Sequence, residues 1–441
     1  MIKVSVVMPV FNAERYLQIA LDSLLRQTLN DIEIICVNDG STDRTKEILE
    51  EYARRDVRIR IINQKNSYAG VARNKGMLIA SGKYLSFLDA DDYFKSDMLM
   101  EAYSCAEKTQ AEIVVFGGEY FNKDLDSAFH NSGLLKEELL PYRADFIETE
   151  NFESLFHFTT PSPWNKLYRR RFVEKHKLRF QPSKRVNDAY FVLVAFALAK
   201  RIGLVRKDLI SYRTGNSNSL QGTNAESPLL FIEVFRSIKK TLIEKNLYNQ
   251  NKQSFRNLCL SSCIYNLESL TNGLAFEELY NALKSYVFKE FDLVDSKRDD
   301  YYNKYAFSQY EYIMTHTATE YWQEKYFRKI RLGNKKEYLF PFKKIKKDSK
   351  IILYGAGNVG RKFNLQIKKS NYCTVNEWVD KNVERVNEVL INTPENVDFN
   401  NCDYIVIAIE SLEIANKIKK WLLEDQMVDP NKIIWENPII N

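Results

Sequence analysis

The sequence predicts an α/β protein: a mostly parallel sheet with helices on both faces, a helical stretch, and a second, smaller α/β region. Three observations predict it. Over residues 3–115, short β-branched runs alternate with amphipathic helical stretches, the order that produces a parallel sheet. Residues 226–330 are rich in Tyr and Phe, with apolar positions at helical spacing. Residues 350–441 return to a βαβ pattern. The chain has 441 residues, and at roughly 150 residues per domain the expectation is three domains. Their boundaries are drawn at 1–222, 223–345 and 346–441.

In the first region, residues 3–10, 32–37, 59–62, 84–88 and 113–116 read as strands. Residues 13–28, 42–54, 69–80 and 96–108 read as the helices between them. Ligands of such sheets bind at the carboxyl ends of the strands. Residues 117–222 complete the domain and include a loop-like stretch, 123–150. In the helical region, Ser227-Pro228 reads as an N-cap followed by a first-turn proline. Phe231, Val234, Phe235, Ile238 and Leu242 follow at helical spacing, and Phe276, Leu279, Leu283 and Val287 repeat it. Residues 328–350 form a basic linker, with Lys335, Lys336, Lys343, Lys344, Lys346 and Lys347 around Tyr338, Phe340 and Phe342. It reads either as a solvated connector or as a surface that rests on an anionic membrane.

Composition narrows the function classes. Apolar residues are 45% and charged residues 28%, ordinary for a globular protein. Lys plus Arg is 64 and Asp plus Glu is 58, a net charge of +6 that does not point to nucleic acid. The six cysteines contain no C-x-x-C, and the four histidines are scattered. Neither a zinc knuckle nor a disulfide framework is expected, and buried thiols in a reducing cytoplasm are. The start reads as a first strand, not a signal peptide. The longest apolar run, residues 190–199, is far short of the ~20 residues that cross a bilayer. The expected location is the cytoplasm, free or peripheral at the inner face of the membrane.

Two acidic clusters carry the chemistry. Val37-Asn38-Asp39-Gly40-Ser41-Thr42-Asp43 is a strand end opening into a helix, so Asp39 stands where a ligand would bind. Turn and cap chemistry alone also accounts for that run. Phe87-Leu88-Asp89-Ala90-Asp91-Asp92 packs three carboxylates into four residues, which repel unless a cation or a donor-rich ligand sits among them. Oxygen ligands of this kind suit Mg²⁺ or Mn²⁺.

Four blocks in order, Val4 to Asn12, Val37 to Asp43, Ala72-Arg73-Asn74-Lys75-Gly76 and Phe87 to Asp92, resemble a family-2 glycosyltransferase of GT-A fold. The resemblance covers roughly the first 220 residues, half of the chain. It implies that Pro9, Phe11 and Asn12 line a nucleotide pocket and that Asp39 accepts a hydrogen bond from the base, which fits uracil. It implies further that Arg73 sits near the nucleotide or its diphosphate, that Asp89 lies on the ribose side, and that Asp91 binds a divalent metal. Trp164 reads as exposed, and Trp164 and Lys166 resemble a family block bordering the sugar and acceptor pocket. In Val186-Asn187-Asp188 the family's usual pair is Glu-Asp, the second member being the general base. Asp188 retains that position and Asn187 departs from it. A helix N-cap is the plain alternative for Asp188. Residues 212–217 resemble a block that closes over the diphosphate.

Near the C-terminus, Gly355-Ala356-Gly357-Asn358-Val359-Gly360 follows an apolar strand, and Asp380 stands twenty residues on. This is the context of a dinucleotide fingerprint. Gly355, Gly357, Gly360 and Asp380 are therefore a candidate second nucleotide site on a small Rossmann-like module. The expected activity is a metal-dependent, inverting transfer from a UDP-sugar to a hydroxyl of a bacterial surface glycan, glycolipid or glycoprotein. The rivals are a nucleotidyltransferase and a catalytically silent sugar-nucleotide scaffold. Donor sugar, acceptor and any homo-oligomeric state stay open.

Overall fold

A computed structural model describes residues 1–121, 128–142, 144–214, 224–271, 273–294, 297–322, 324–325, 338, 340–370, 372–381, 385–386 and 389–438. The chain divides into two compact units, Met1–Tyr321 and Trp322–Asn441.

The first unit begins with β1 (Val4–Val10), α1 (Leu17–Leu25), β2 (Ile32–Asn38), α2 (Thr45–Arg55), β3 (Ile59–Asn63), α3 (Tyr68–Ile79) and β4 (Tyr84–Phe87). Each expected strand and helix of this stretch is present, and β1 to β4 pair in parallel. After β5 (Tyr93–Phe94) and α4 (Met98–Thr109) come β6 (Ile113–Phe121), β7 (Phe129–His130), β8 (Phe146–Glu148) and β9 (Lys166–Arg169). The helices α5 (Arg170–Lys175) and α6 (Ala189–Leu198) and the long strand β10 (Arg201–Arg213) complete the sheet. Its order is β3-β2-β1-β4-β9-β6-β10-β5, with β7 on β6 and β8 on β10. β9 enters antiparallel between β4 and β6. The stretch 123–150 is thus not simply a loop: its described part holds β7 and β8, both too short and too mixed in pattern to announce themselves.

β2 is buried at every position and β4 likewise, as strands covered on both faces should be. One face carries Val4, Val6, Met8, Leu21, Leu24, Ile34 and Leu49 in a single core. On the other, α3 lies against β1 and β2 through Gly76, where an added Cβ would stand 2.4 Å from Val7 Cγ1 and 3.3 Å from Val37 Cγ2. α6 is apolar on all sides and nearly all buried. Its Phe191 stacks on Phe180 at 4.1 Å and meets Phe87 edge-on at 5.3 Å.

The helices α7 (Leu230–Glu244), α8 (Tyr248–Ser269) and α9 (Gly273–Ala282) follow, the last running on through a π turn, Leu283–Val287. They belong to the same compact unit as the sheet. The aromatic positions at helical spacing are buried, Phe231, Phe235 and Phe276 among them. α7 starts at Leu230, two residues beyond the expected Ser227-Pro228 start, and its N-cap position is Leu229.

In the second unit, the parallel strands Lys350–Tyr354, Thr374–Val379, Tyr404–Ile407 and Ile433–Ile434 form one sheet, the first of them central beside the third. Two cores flank it, one with Val359, Phe363 and Ile367 of the helix Asn358–Ser370, the other with Ala415 and Leu422 of the helix Leu412–Glu424. This is the Rossmann-like arrangement. Tyr338, Phe340 and Ile345 belong to the first core, with Phe342 packed against it. The aromatic residues expected in a linker, and available for a membrane, are therefore turned inward. Lys343, Lys344, Lys346 and Lys347 stay exposed, and Lys335 and Lys336 lie outside the described residues. No helix among the described residues is long and apolar enough to cross a membrane. All six cysteines are free thiols, five of them buried, as expected.

Gly76→Ala tests the seat of α3. The methyl must push Val7 aside, and such overpacking should lower stability by about 1–3 kcal/mol. Thermal unfolding should show an earlier first transition; an unchanged one would mean that α3 is not held there.

Candidate active site

The carboxyl ends of β1, β2 and β4 converge on one region. The Asp39 amide donates to the Val10 carbonyl at 2.8 Å, and the Leu88 amide to the Val7 carbonyl at 3.2 Å. The loop after β1 is stitched to the loop after β2: Asn12 sits at φ 47°, its Oδ1 accepts from the Thr42 amide at 2.8 Å, and its amide donates to Ser41 Oγ at 3.0 Å. Asparagine tolerates that left-handed backbone because its short amide can bond locally. Pro9 is part-buried at the end of β1, and the Phe11 ring beside it is 49% exposed. Asp39 is buried, and its Oδ1 accepts from Gln64 Nε2 at 2.7 Å and from the Ser67 amide, just before α3, at 2.8 Å. Among the described residues no donor reaches its Oδ2.

α3 carries the next residue inward. Arg73, 4% exposed, donates through Nη2 to Asp89 Oδ1 at 2.7 Å and through Nη1 to Asn187 Oδ1 at 3.0 Å. Its guanidinium lies 5.3 Å from the Phe180 ring. Both ends of the fork are committed to protein groups, so Arg73 acts as a bracket between the acidic loop and the segment before α6. The close approach is permitted by Gly70, where a Cβ would fall 2.3 Å from the Gln181 carbonyl oxygen and 3.0 Å from Asn187 Cβ.

Asp188 occupies the N-cap position of α6, but its side chain makes no capping hydrogen bond. The N-terminal dipole of that helix favours its ionised form. Part of its surface is open, yet the atoms packed around it exclude enough water to push the carboxyl above its usual range. Arg73 pulls it back, and Asp89 adds to the rise. Behind it on β9 stand Lys166 and Tyr168, both fully buried, and both feel its charge. The Tyr168 hydroxyl has no hydrogen-bond partner.

In the acidic loop, Asp92 is buried, its Oδ1 accepts from the Arg213 amide at 2.9 Å and its Oδ2 has no partner. Burial pushes its carboxyl well up, and the charges of Asp91 and Asp89 push the same way. Arg213 Nε donates to the Asp91 carbonyl oxygen at 2.9 Å, its guanidinium held between the rings of Tyr16 at 4.2 Å and Phe121 at 4.3 Å. Among the described residues no group of three or more His, Cys, Asp and Glu side chains could hold a metal by itself. The chemistry of the loop still fits a hard divalent cation: one carboxylate, Asp91, sits in a field of negative charge, and Mg²⁺ commonly takes one or two carboxylates and completes its shell from substrate phosphates and water.

Trp164 and Lys166 are not exposed. Trp164 is 6% exposed and stacks on Tyr212 at 4.9 Å. The Lys166 amine donates to the Thr160 and Ser162 carbonyl oxygens at 2.9 and 2.7 Å and to Asn165 Oδ1 at 2.6 Å. A Pro-Trp pair after a polar run reads as surface; it is β10, remote in sequence, that covers it. Arg213 and Tyr212 have no individual role in the sequence reading, because their place beside the acidic loop is set by β10 and is not written in the residues around them. Residues 215–217 of their block lie outside the described residues.

In the second unit the glycine loop and Asp380 come together. Gly355 adopts φ 114°, its carbonyl accepts from Trp378 Nε1 at 2.8 Å, and a Cβ on Gly360 would fall 1.9 Å from that carbonyl oxygen. Gly357 has open space where a Cβ would project. Asp380 Oδ2 accepts from the Ala356 amide at 2.7 Å, so the carboxylate holds its own loop.

The sequence model of glycosyl transferase family 2 matches residues 5–177. The putative glycosyltransferase EpsH of Bacillus subtilis is 32% identical over 290 residues, which are 63% of this chain and 81% of EpsH. The chain belongs to glycosyltransferase family 2. The uncharacterized glycosyltransferase EpsJ of the same organism is 39% identical over 220 residues, 49% of this chain and 62% of EpsJ, so the chain spans less than two thirds of that relative. The poly(ribitol-phosphate) β-N-acetylglucosaminyltransferase TarS of Staphylococcus aureus is 25% identical over 256 residues, 57% of this chain and 42% of TarS. The crystal structure of TarS residues 1–349 with UDP-GlcNAc superimposes with a TM-score of 0.47 at 21% identity, covering 71% of this chain and 81% of that one. The parallel-dominated sheet of the first unit, with acidic residues at its strand ends, has the GT-A fold of this family.

Arg73→Met should unlock the bracket. Removing one partner from a buried charge pair costs about 3–5 kcal/mol, and the part-exposure of Asp89 puts the expected loss at the low end. Denaturant unfolding measures it; an unchanged midpoint would mean that Arg73 does not hold the two segments together.

Proposed function

We propose that this protein is an inverting glycosyltransferase that moves a sugar from a UDP-sugar to a hydroxyl of a bacterial surface glycan. The observation that carries the reading is the Arg73 bracket. It draws Asp89 and Asn187, and with Asn187 the neighbouring Asp188, to the strand ends that hold Asp39. The relative TarS, by its name a poly(ribitol-phosphate) glycosyltransferase, supports a polymeric surface acceptor.

The chain's own groups have distinct tasks. Asp39 Oδ2 accepts the ring N–H of uracil while Oδ1 stays on Gln64 and Ser67. Pro9 and Phe11 flank the base, and Asn12 keeps the two loops in register. Asp89, held by Arg73, faces the ribose. Asp91 would hold Mg²⁺ or Mn²⁺, which when bound supplies positive charge against the departing diphosphate. Asp188 takes the proton from the attacking hydroxyl at its carboxylate oxygen. One base facing the departing group corresponds to one in-line displacement, hence inversion. The raised pKa of Asp188 suits that task, because a more basic carboxylate that is still ionised near neutrality accepts a proton more readily.

UDP release across UDP-glucose, UDP-galactose and their N-acetyl forms, with Mn²⁺, tests the reading; no release from any of them would overturn it. Asp188→Asn should reduce transfer by roughly 10²–10⁴-fold and leave UDP binding, followed by calorimetry, unchanged. The base must be ionised, so kcat/KM should fall as pH drops through the Asp188 pKa, above the 3.8 of an ordinary aspartate. In Arg73→Met this acid limb should move to higher pH, since the lost positive charge favoured the carboxylate. A limb that stays in place would detach Arg73 from the ionisation of the base.

A further inference from the structure

The helical segment is tied to the stretch that precedes Asp188, and α8 carries an exposed aromatic ring on the face that makes the tie. Lys184, four residues before Asp188, pairs with Glu226 at 2.7 Å. Asn224 donates to Ser269 Oγ at 2.7 Å. Two short bonds therefore tie the base-bearing segment to the head of the helical region, and that head to the end of α8. Tyr265 precedes Ser269 by one helical turn, so it shares the face of α8 that makes this tie. Its ring is 62% exposed. Its phenol is also close enough to act electrostatically on Tyr120, near the end of β6, and on Arg185.

Tyr120 continues into an aromatic row. It lies 5.5 Å from Tyr212, its register partner on β10, and Tyr212 stacks on Trp164. Tyr212 in turn feels the charges of Asp92, Asp89 and Asp91. The row thus starts beside the acidic loop, where the donor diphosphate would lie, and ends at α8. Aromatic faces bordered by charged side chains suit a pyranose, whose C–H face packs on the ring while its hydroxyls meet the polar rim. On the proposed function the donor takes the strand ends of β1, β2 and β4, and Trp164 is buried, which leaves the Tyr120 end of the row for the other substrate.

We propose that Tyr265, with Tyr120 and Arg185, forms the acceptor subsite, binding a saccharide ring of the acceptor beside Asp188. This rests on the glycosyltransferase reading and deepens it: acceptor choice is set in part by α8, beyond the residues 5–177 that the family model spans.

The test uses the full chain, the four UDP-sugars with Mn²⁺, and octyl β-glucoside and octyl β-N-acetylglucosaminide as acceptor probes. Saturation-transfer NMR reads binding of the probes, and UDP release with and without them separates transfer from donor hydrolysis. Tyr265→Ala should raise the acceptor KM by about ten-fold, the order expected for one aromatic contact, and leave donor hydrolysis unchanged. Tyr265→Trp should restore the KM. An unchanged acceptor KM in Tyr265→Ala, or wild-type protein that binds neither glycoside, would overturn the subsite. Equal loss of hydrolysis and transfer would overturn it too, since the ring would then serve the donor side or the fold. Wild-type protein that releases UDP from no donor would instead sink the glycosyltransferase reading itself.

Discussion

A single buried guanidinium organises the site. Arg73 reaches Asp89 with one nitrogen and Asn187 with the other, and those partners come from different stretches of the chain. A buried cation tolerates this position only because both contacts are made; without them its desolvation would be uncompensated. The same charge moderates Asp188, which burial and Asp89 would otherwise leave more weakly acidic. Position and ionisation of the candidate base therefore have one common cause. Asn187 matters here because it is neutral: it accepts from Arg73 without neutralising it, so the positive charge remains available to Asp89 and Asp188.

The bracket in turn depends on how α3 is seated. Gly76 lets the helix approach β1 and β2, and Gly70 lets it approach the segment that carries Asn187. Between them they set the depth at which Arg73 enters. Just before the helix, Ser67 donates to Asp39. One helix thereby connects Asp39, the acidic loop and the segment that leads into Asp188. Arg213 gives a second point of support on the far side of the acidic loop, its cation sandwiched by two rings while its backbone and Nε hold Asp92 and Asp91. The second unit repeats the theme on a smaller scale: a carboxylate, Asp380, satisfies a glycine-loop amide, and Gly360 closes against the Gly355 carbonyl.

Much of this was legible in the sequence because it is local. Alternating β-branched and amphipathic runs follow from the two periodicities of the backbone, and they gave the order of strands and helices through α4. Asp39, Asp89, Asp91 and Asp188 each end a strand or start a helix, and turn residues beside them mark those ends. The glycine loop of the second unit was readable for the same reason. The weakly patterned pieces were not readable: β7 and β8 are two and three residues long, too short for any periodicity. The start of α7 shifted past Ser227-Pro228 for a related reason, since a cap signal is a preference that packing can override.

Sequence alone determined the α/β class, the strand ends that bear acids, and membership of glycosyltransferase family 2. Tertiary structure alone decided partnership and burial. Arg73 and Asn187 are 114 residues apart, and nothing in either neighbourhood names the other. Trp164 reads as surface and is buried, and the aromatic residues of the basic stretch, Tyr338 and Phe340, are core. Exposure is a property of what folds over a residue, set by contacts between distant segments, whereas periodicity and turn chemistry are written within a few residues of chain.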